Sequence, residues 1–197
     1  MKTRALLTLA ATAALMAGCA TSGGRGAPVD VTRYHLAQPI PAGAVSIQPK
    51  DSVAGPEYQL YADAVGSQMA VLGFSPAAAG TSADYIATVD FSRTDRGQVR
   101  TRPPVTIGLG GGGFGGNVGG GVGASVGLGG KTRTVYGSEL AVQLRRRGDN
   151  TVIWEGKAIT ESLGDAPGSQ PTDTATKLAA ALFKGFPGQS GITITVK

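Results

Sequence analysis

The chain contains a single cysteine, Cys19, and the residues before it decide what its thiol can do. Lys2 and Arg4 form a basic head, and residues 5–17 form a mostly apolar run that ends in small side chains. This order is typical of a secretory signal, in which cleavage follows the small residues. The 14 residues between Arg4 and Cys19 are fewer than the roughly 20 that a transmembrane helix needs. We therefore expect residues 1–18 to be removed as a signal peptide, which leaves Cys19 first in the mature chain.

Leu15-Met16-Ala17-Gly18-Cys19 resembles the lipobox of bacterial lipoproteins, in which the cysteine is acylated and becomes the new N-terminus. Met16 stands where that family usually has Leu, Val or Ile, and it is apolar and of similar volume. The resemblance implies several acyl chains on Cys19, and each buried CH₂ adds about 0.8 kcal/mol of membrane affinity. By the same resemblance, Ala20 rather than Asp implies attachment to the outer membrane, on its periplasmic side.

Few other residues could carry out catalysis or bind a metal. Acylation would consume the thiol of Cys19, and an ordinary buried thiol is the alternative. His35 is the single histidine, which leaves no cluster of histidines to hold a metal ion. We therefore expect no enzymatic activity, no metal and no cofactor. The carboxylates are scattered singly over predicted strands and loops, at Asp84, Asp90, Asp95, Glu139, Glu155 and Glu161.

Charge and length narrow the class of protein. The formal net charge is +5, and without Lys2 and Arg4 it is +3, from 16 basic and 13 acidic residues. Such a mild charge does not favour nucleic acid as a partner. The mature length suits one domain. We expect three parts: a lipoprotein signal peptide at 1–18, a lipidated tether at 19–28, and a single α+β domain at 29–197 with a glycine-rich insertion at 103–130.

Two stretches have the period of amphipathic helices. Pro56 suits a first helical turn, an apolar stripe follows it, and Gly73 suits a left-handed helix end. Pro171 begins the second helix, with Thr172 or Ser169 as its cap. The stripes consist of Tyr58, Tyr61, Val65, Met69 and Leu72 in the first helix, and of Ala175, Leu178, Ala179 and Leu182 in the second.

Six segments are predicted to be strands. Several alternate between apolar and polar residues, and we expect Val152, Trp154 and Ala158 to face the core together. The same alternation turns Glu155 outward, opposite Arg145 or Gln143. The elements predict an α+β fold: an antiparallel sheet of about four to six strands, two helices on one face, and a long glycine-rich hairpin insertion. The predicted strands are Val31–Leu36, Ala44–Gln48, Tyr85–Ser92, Ser138–Arg145, Thr151–Ile159 and Ile192–Val196.

The order of several short motifs resembles a second family. Trp154-Glu155-Gly156-Lys157-Ala158 precedes a loop, and Phe186-Pro187 follows the second helix. Leu72-Gly73-Phe74 is followed by Ala83-Asp84-Tyr85 at the start of a strand. This arrangement, over roughly residues 29–190, resembles the bacterial lipoprotein family known as domain of unknown function 4136. The resemblance implies an envelope lipoprotein and brings no catalytic residues with it.

The glycine-rich insertion has three interpretations. No residue from Pro103 to Gly130 is charged, and 14 of the 23 residues from Gly108 to Gly130 are glycine. A long loop or irregular hairpin is the simplest interpretation, because glycine loses the most conformational entropy on ordering. A dinucleotide-binding loop at Gly108-x-Gly110-x-x-Gly113 is rejected, because no helix-forming pattern follows and no acidic residue lies about 20 positions further on.

The third interpretation is a segment that contacts the membrane. Phe114, Val118, Val122 and Val126 are spaced four residues apart, as are the glycines that follow each of them. On a helix these two stripes would favour close packing in a bilayer. Against this stands a cost of roughly 1 kcal/mol for each glycine in a helix. A further candidate for contact with anionic lipid is the run Arg145-Arg146-Arg147, which we expect at the tip of a hairpin.

These observations predict a non-enzymatic lipoprotein with a structural or binding role. Its partners would be the membrane, through acyl chains on Cys19, and another envelope component such as a protein or peptidoglycan. The alternative is a small-ligand carrier or enzyme that uses the groove between the helices and the sheet.

Overall fold

The computed structural model describes residues 27–51, 55–77, 82–100 and 131–197, together with the backbone of residues 105–109 and 124–128. Cys19 and the predicted signal peptide lie outside the described residues, as do Phe114, Val118 and Val122. The elements are β1 Val29–His35, β2 Ala44–Pro49, α1 Pro56–Val71, β3 Ser75–Pro76, β4 Tyr85–Arg100, β5 Val105–Leu109, β6 Ala124–Leu128, β7 Thr132–Arg146, β8 Val152–Leu163, α2 Pro171–Phe183 and β9 Thr193–Val196.

The main sheet is larger and less uniform than the sequence predicts. Its order is β3-β2-β4-β7-β8-β1-β9, so it has seven strands rather than four to six. The additional strand is β3, a two-residue segment that ends in Pro76. The sheet is mixed rather than antiparallel, because β2 pairs in parallel with both β3 and β4. Helix α1 connects β2 to β3. It returns the chain to the end of the sheet at which β2 begins, as a connection between parallel neighbours must.

Both helices pack on one face of this sheet, so the predicted α+β class is confirmed. Each begins with a proline, Pro56 or Pro171, and Gly73 has the expected left-handed φ of +89°. The predicted cap of α2 is wrong. Gln170 occupies the N-cap position without a capping side-chain hydrogen bond, while the hydroxyl of Ser169 donates to the carbonyl of Gly164 over 3.0 Å.

A bulge between β7 and β8 overturns one face assignment. Leu144 pairs with Trp154, but the next residue, Arg145, pairs with Val152. Ile153 is therefore the extra residue of a bulge, and the strand changes its alternation at that point. Ile153 and Trp154 are both buried, whereas Val152 is 38% exposed and does not face the core with Trp154.

Strands β4 and β7 extend well past their predicted ends and past most of their neighbours. They remain paired from Thr94 with Gly137 out to Arg100 with Thr132. We call these parts of the two strands, 94–100 and 132–137, the arm. The register shifts between Asp95 and Gln98, where Gly97 has a φ of +101° and donates its N–H to the Asp95 carboxylate over 2.7 Å.

A buried arginine joins β1 to the C-terminal end of α2. Arg33 is 3% exposed, and burial lowers its pKa. Its Nε donates to the carbonyl of Leu182 over 2.8 Å, and its Nη2 donates to the carbonyls of Ala181 and Lys184, each over 3.0 Å. The last carbonyls of a helix have no partner within it and carry partial negative charge. The guanidinium therefore supplies both the missing donors and the favourable charge.

The turn after α2 is held by two more side chains. The indole N–H of Trp154 donates to the carbonyl of Pro187 over 3.0 Å, and Nε2 of His35 lies 3.1 Å from the carbonyl of Gly188. We call Arg33, Trp154 and His35 the α2 clamp. His35 pairs with Trp154 of β8 and lies beyond the last β1–β9 pair, Thr32 with Thr193, so β9 does not cover it.

We expect Arg33→Met to lower the free energy of unfolding by about 3 kcal/mol, because it removes a charged donor and leaves buried carbonyls without partners. Urea denaturation measures this as a lower midpoint at an unchanged slope. Arg146→Met is the matched control, because Arg146 is exposed and pairs only with Asp149 on the surface. Equal midpoints for the two variants would show that the hydrogen bonds of Arg33 do not stabilise the fold.

Candidate functional site

A cavity of about 630 Å³ opens at the end of the sheet from which the arm leaves. This volume lies within the range of small-molecule binding pockets. Three separate stretches of the chain contribute to it: Ala27 before β1, Val135 of β7, and residues 161–177, which run from the end of β8 through the following loop into α2. Its lining consists of Ala27, Val135, Glu161, Ser162, Leu163, Ala166, Pro167, Gly168, Asp173 and Lys177.

The loop between β8 and α2 keeps this cavity open. It begins after Leu163 and is closed on itself by the hydrogen bond from Ser169 to Gly164. Its small residues, such as Ala166 and Gly168, leave space between the end of β8 and α2. Together with Val135 and Leu163 they make the walls mainly apolar. The cavity can therefore accept an apolar group.

Lys177 is the cation of the cavity. Its ammonium group donates to the carbonyl of Ala27 and lies 3.4 Å from the hydroxyl of Thr160. Burial lowers the pKa of Lys177, because the charged form loses water. Glu161 and Asp173 line the cavity but are exposed, and the buried hydroxyl of Ser162 has no hydrogen-bond partner among the described residues. These polar groups could orient a ligand that has one polar end.

The carboxylates of Asp90, Glu139 and Glu155 lie on the sheet face opposite the helices. Lys50 and Asp90 are 2.7 Å apart, and Lys157 and Glu139 are 2.8 Å apart. The amide of Gln143 lies 3.4 Å from the Glu155 carboxylate, which confirms that predicted pair. Such exposed pairs contribute little to stability, because water screens the attraction between the charges. Among the described residues, no group of three or more His, Cys, Asp or Glu side chains could hold a metal ion.

Two sequence motifs in and next to the glycine-rich insertion match known functional motifs, but neither has the secondary structure that its function needs. Gly123-Ala124-Ser125-Val126-Gly127 matches Gly-x-Ser-x-Gly, but Ser125 lies within strand β6, opposite Gly108, and not at a strand-to-helix turn. Gly130-Lys131-Thr132 matches the end of a P-loop. However, a serine stands at the first glycine position of that motif, and Thr132 begins a strand rather than a helix.

The predicted membrane helix is wrong for the parts of the insertion that the structure describes. Strands β5 and β6 pair antiparallel, with Val126 opposite Ile107. Whether Val126 contacts a membrane, together with Phe114, Val118 and Val122, stays a prediction. Neither helix within the described ranges combines the length and apolarity needed to cross a bilayer.

The three arginines of the β7–β8 turn lie at the opposite end of the sheet from the arm. Arg145 donates to the hydroxyl of Thr88 over 3.3 Å, and Arg146 pairs with Asp149 at 2.9 Å. Fourteen residue steps along β7 separate Thr132 from Arg146, or about 46 Å at 3.3 Å per residue. The run Arg145-Arg146-Arg147 and the β5–β6 hairpin therefore do not form one surface.

Most of the cavity residues could not be identified from the sequence as a site. The lining comes from segments that are distant along the chain, and no motif joins them. The one available signal is Lys177, a lysine at a helical position next to the apolar stripe residue Leu178.

The lowered pKa of Lys177 predicts a pH dependence of stability. The unfolded chain binds a proton at Lys177 more tightly than the folded chain does, so stability rises with pH between the folded pKa and the ordinary value of 10.5. We expect the urea midpoint of the wild type, relative to that of Lys177→Met, to rise as the pH approaches 10.5. A pH-independent difference for Lys177→Met would contradict the burial of this ammonium group.

Comparison with known proteins confirms the predicted resemblance to the domain of unknown function 4136. The model of a family described as "Domain of unknown function (DUF4136)" matches residues 30–188. An uncharacterized protein of Zymomonas mobilis subsp. mobilis is 33% identical, over 86% of this chain and 80% of that protein. Among solved structures, the PelC dodecamer from Paraburkholderia phytofirmans is 14% identical, with a TM-score of 0.42, over 81% of this chain and 99% of that chain. A PDZ domain protein from Parabacteroides distasonis is 7% identical, with a TM-score of 0.47, over 86% of this chain and 39% of that chain. The chain belongs to the DUF4136 family of proteins of unknown function.

Proposed function

We propose that this protein is a lipid-anchored envelope protein, with acyl chains on Cys19 that hold its α+β domain at the periplasmic face of the outer membrane. The domain is a binding module for another envelope component, a protein or peptidoglycan, and not an enzyme. The observation that carries the proposal is the sequence Leu15-Met16-Ala17-Gly18-Cys19 at the end of a short apolar segment.

The short tether supports this arrangement. Eight residue steps separate Cys19 from Ala27, which span at most about 29 Å at 3.6 Å per residue. Ala27 lies beside the first strand and lines the cavity. An anchor at Cys19 would therefore keep the cavity end of the domain within about 30 Å of the bilayer. The Arg145-Arg146-Arg147 turn would be at the end of the domain that is remote from the anchor.

We expect Cys19→Ser to abolish acylation and to leave an unprocessed or soluble precursor. Membrane fractionation and intact-mass measurement of the protein from its native host test this. The matched control Thr21→Ser changes the tether but keeps the acceptor thiol, and should behave as the wild type does. Unchanged fractionation of Cys19→Ser, together with a wild-type mass that lacks acyl chains, would reject the anchor.

A second candidate function, transport of a small ligand, is favoured by the cavity. Its apolar walls and the partly buried ammonium group of Lys177 are the properties of a pocket for an amphipathic molecule. An acyl chain fits the apolar walls, and its polar end could lie near Lys177. The position of the cavity next to Ala27 would place its mouth at the side of the domain that the anchor holds closest to lipid.

Titration of the purified protein with palmitate, followed by calorimetry, tests this second function. Burial of an acyl chain should give a negative heat-capacity change on binding. Leu163→Trp fills the cavity and should abolish binding, while Leu36→Trp makes the same change on the exposed surface and should preserve it. Urea midpoints of both variants establish that they fold. Equal binding by the two variants would place the ligand elsewhere.

A further inference from the structure

The register of the β5–β6 hairpin separates its residues into two unlike faces. Side chains alternate along a strand, so directly opposed residues share a face. The two intervening pairs combine glycine with a hydroxyl residue, Thr106 with Gly127 and Gly108 with Ser125. One register face therefore carries six apolar residues. They form the opposed pairs Val105–Leu128, Ile107–Val126 and Leu109–Ala124.

The hairpin itself has no charged residues, but the residues next to it along the chain are mostly basic. Residues 103–130 contain no charged side chain, whereas the arm and its margin present Arg96, Arg100 and Lys131, all exposed. Asp95 is the acidic residue of the arm. A basic side chain near an anionic membrane surface strengthens binding by roughly fivefold. An apolar face with a basic collar matches the chemistry of such a surface.

The hairpin extends from the end of the sheet at which the domain begins. Val29 pairs with Thr160, and Thr160 pairs with Ser138, so β1 starts close to where the arm leaves the sheet. From Ser138 to Thr132 the arm adds six residue steps, about 20 Å at 3.3 Å per residue. The tether from Cys19 spans at most about 29 Å. A bilayer that holds Cys19 therefore lies within reach of the hairpin.

We propose that the β5–β6 hairpin docks onto an anionic lipid bilayer, with the six apolar residues of one register face in the interface and the arginines of the arm against the headgroups. This inference rests on the proposed acylation of Cys19, which sets the distance to the bilayer.

Spin labelling of the mature lipoprotein in vesicles of phosphatidylethanolamine and phosphatidylglycerol tests the proposal. Because acylation consumes the native thiol, one introduced cysteine can be labelled selectively. At Val126→Cys we expect high collision rates with oxygen and protection from a water-soluble nickel chelate. Thr106→Cys, on the other register face, should be less protected. Arg147→Cys, at the far end of the sheet, should be fully accessible to the chelate.

The possible outcomes distinguish the proposed docking of the hairpin from the proposed acylation of Cys19. Flotation of the protein with vesicles, without protection of Val126→Cys, would overturn the docking and leave the anchor intact. Failure to float, with a second label on the native thiol, would reject the anchor itself. Spin–spin broadening at Val126→Cys without vesicles, increasing with protein concentration, would assign the apolar face to a second copy of the chain and overturn the proposal.

A charge test does not alter the hairpin itself. The double variant Arg96→Gln and Arg100→Gln should reduce the ratio of docked to undocked hairpin by about 25-fold, because each charge strengthens docking roughly fivefold. The same double neutralisation at Arg146 and Arg147 is the matched control and should have no effect. Equal effects of the two pairs would contradict the proposed orientation.

Discussion

The packing of α2 depends on a buried guanidinium that has no carboxylate partner among the described residues. Arg33 gives its donors to the carbonyls of Ala181, Leu182 and Lys184 at the end of the helix. A buried cation is costly unless its hydrogen bonds are satisfied, and here the carbonyls and the helix dipole meet that requirement. The interaction holds one end of α2 against β1. The other end, about 20 Å away at 1.5 Å per residue, is the wall of the cavity.

The elements with strong local periodicity could be predicted from the sequence. The stripe of α1 and the alternation of β7 identify their buried faces, because each is a property of neighbouring residues. Arg33 has the same kind of signal, since it shares a face of β1 with Val29 and Val31. What a charged residue does at such a position depends on carbonyls about 150 residues later, and no local pattern contains that information.

Other features depend on geometry that arises only when strands pair. The bulge at Ile153 reverses the alternation of β8 and exposes Val152, although the neighbouring residues have the apolar–polar pattern of a regular strand. Strand β3 exists because the chain leaving α1 meets the edge of β2, and its own residues include a proline. The cavity is the space left between three separate stretches of the chain. In the glycine-rich insertion a local pattern is present but predicts the wrong structure. Its period of four favours a helix, whereas β5 and β6 pair as strands.

The α2 clamp also gives the protein a built-in optical probe. Trp154 is the single tryptophan, is 1% exposed, and stacks on Phe183 with ring centroids 5.4 Å apart. Its indole is held at the end of the domain remote from the arm, so its ultraviolet emission reports on the seating of α2 and not on events at the hairpin. A shift of that emission to longer wavelength marks the moment when the helix end leaves the sheet.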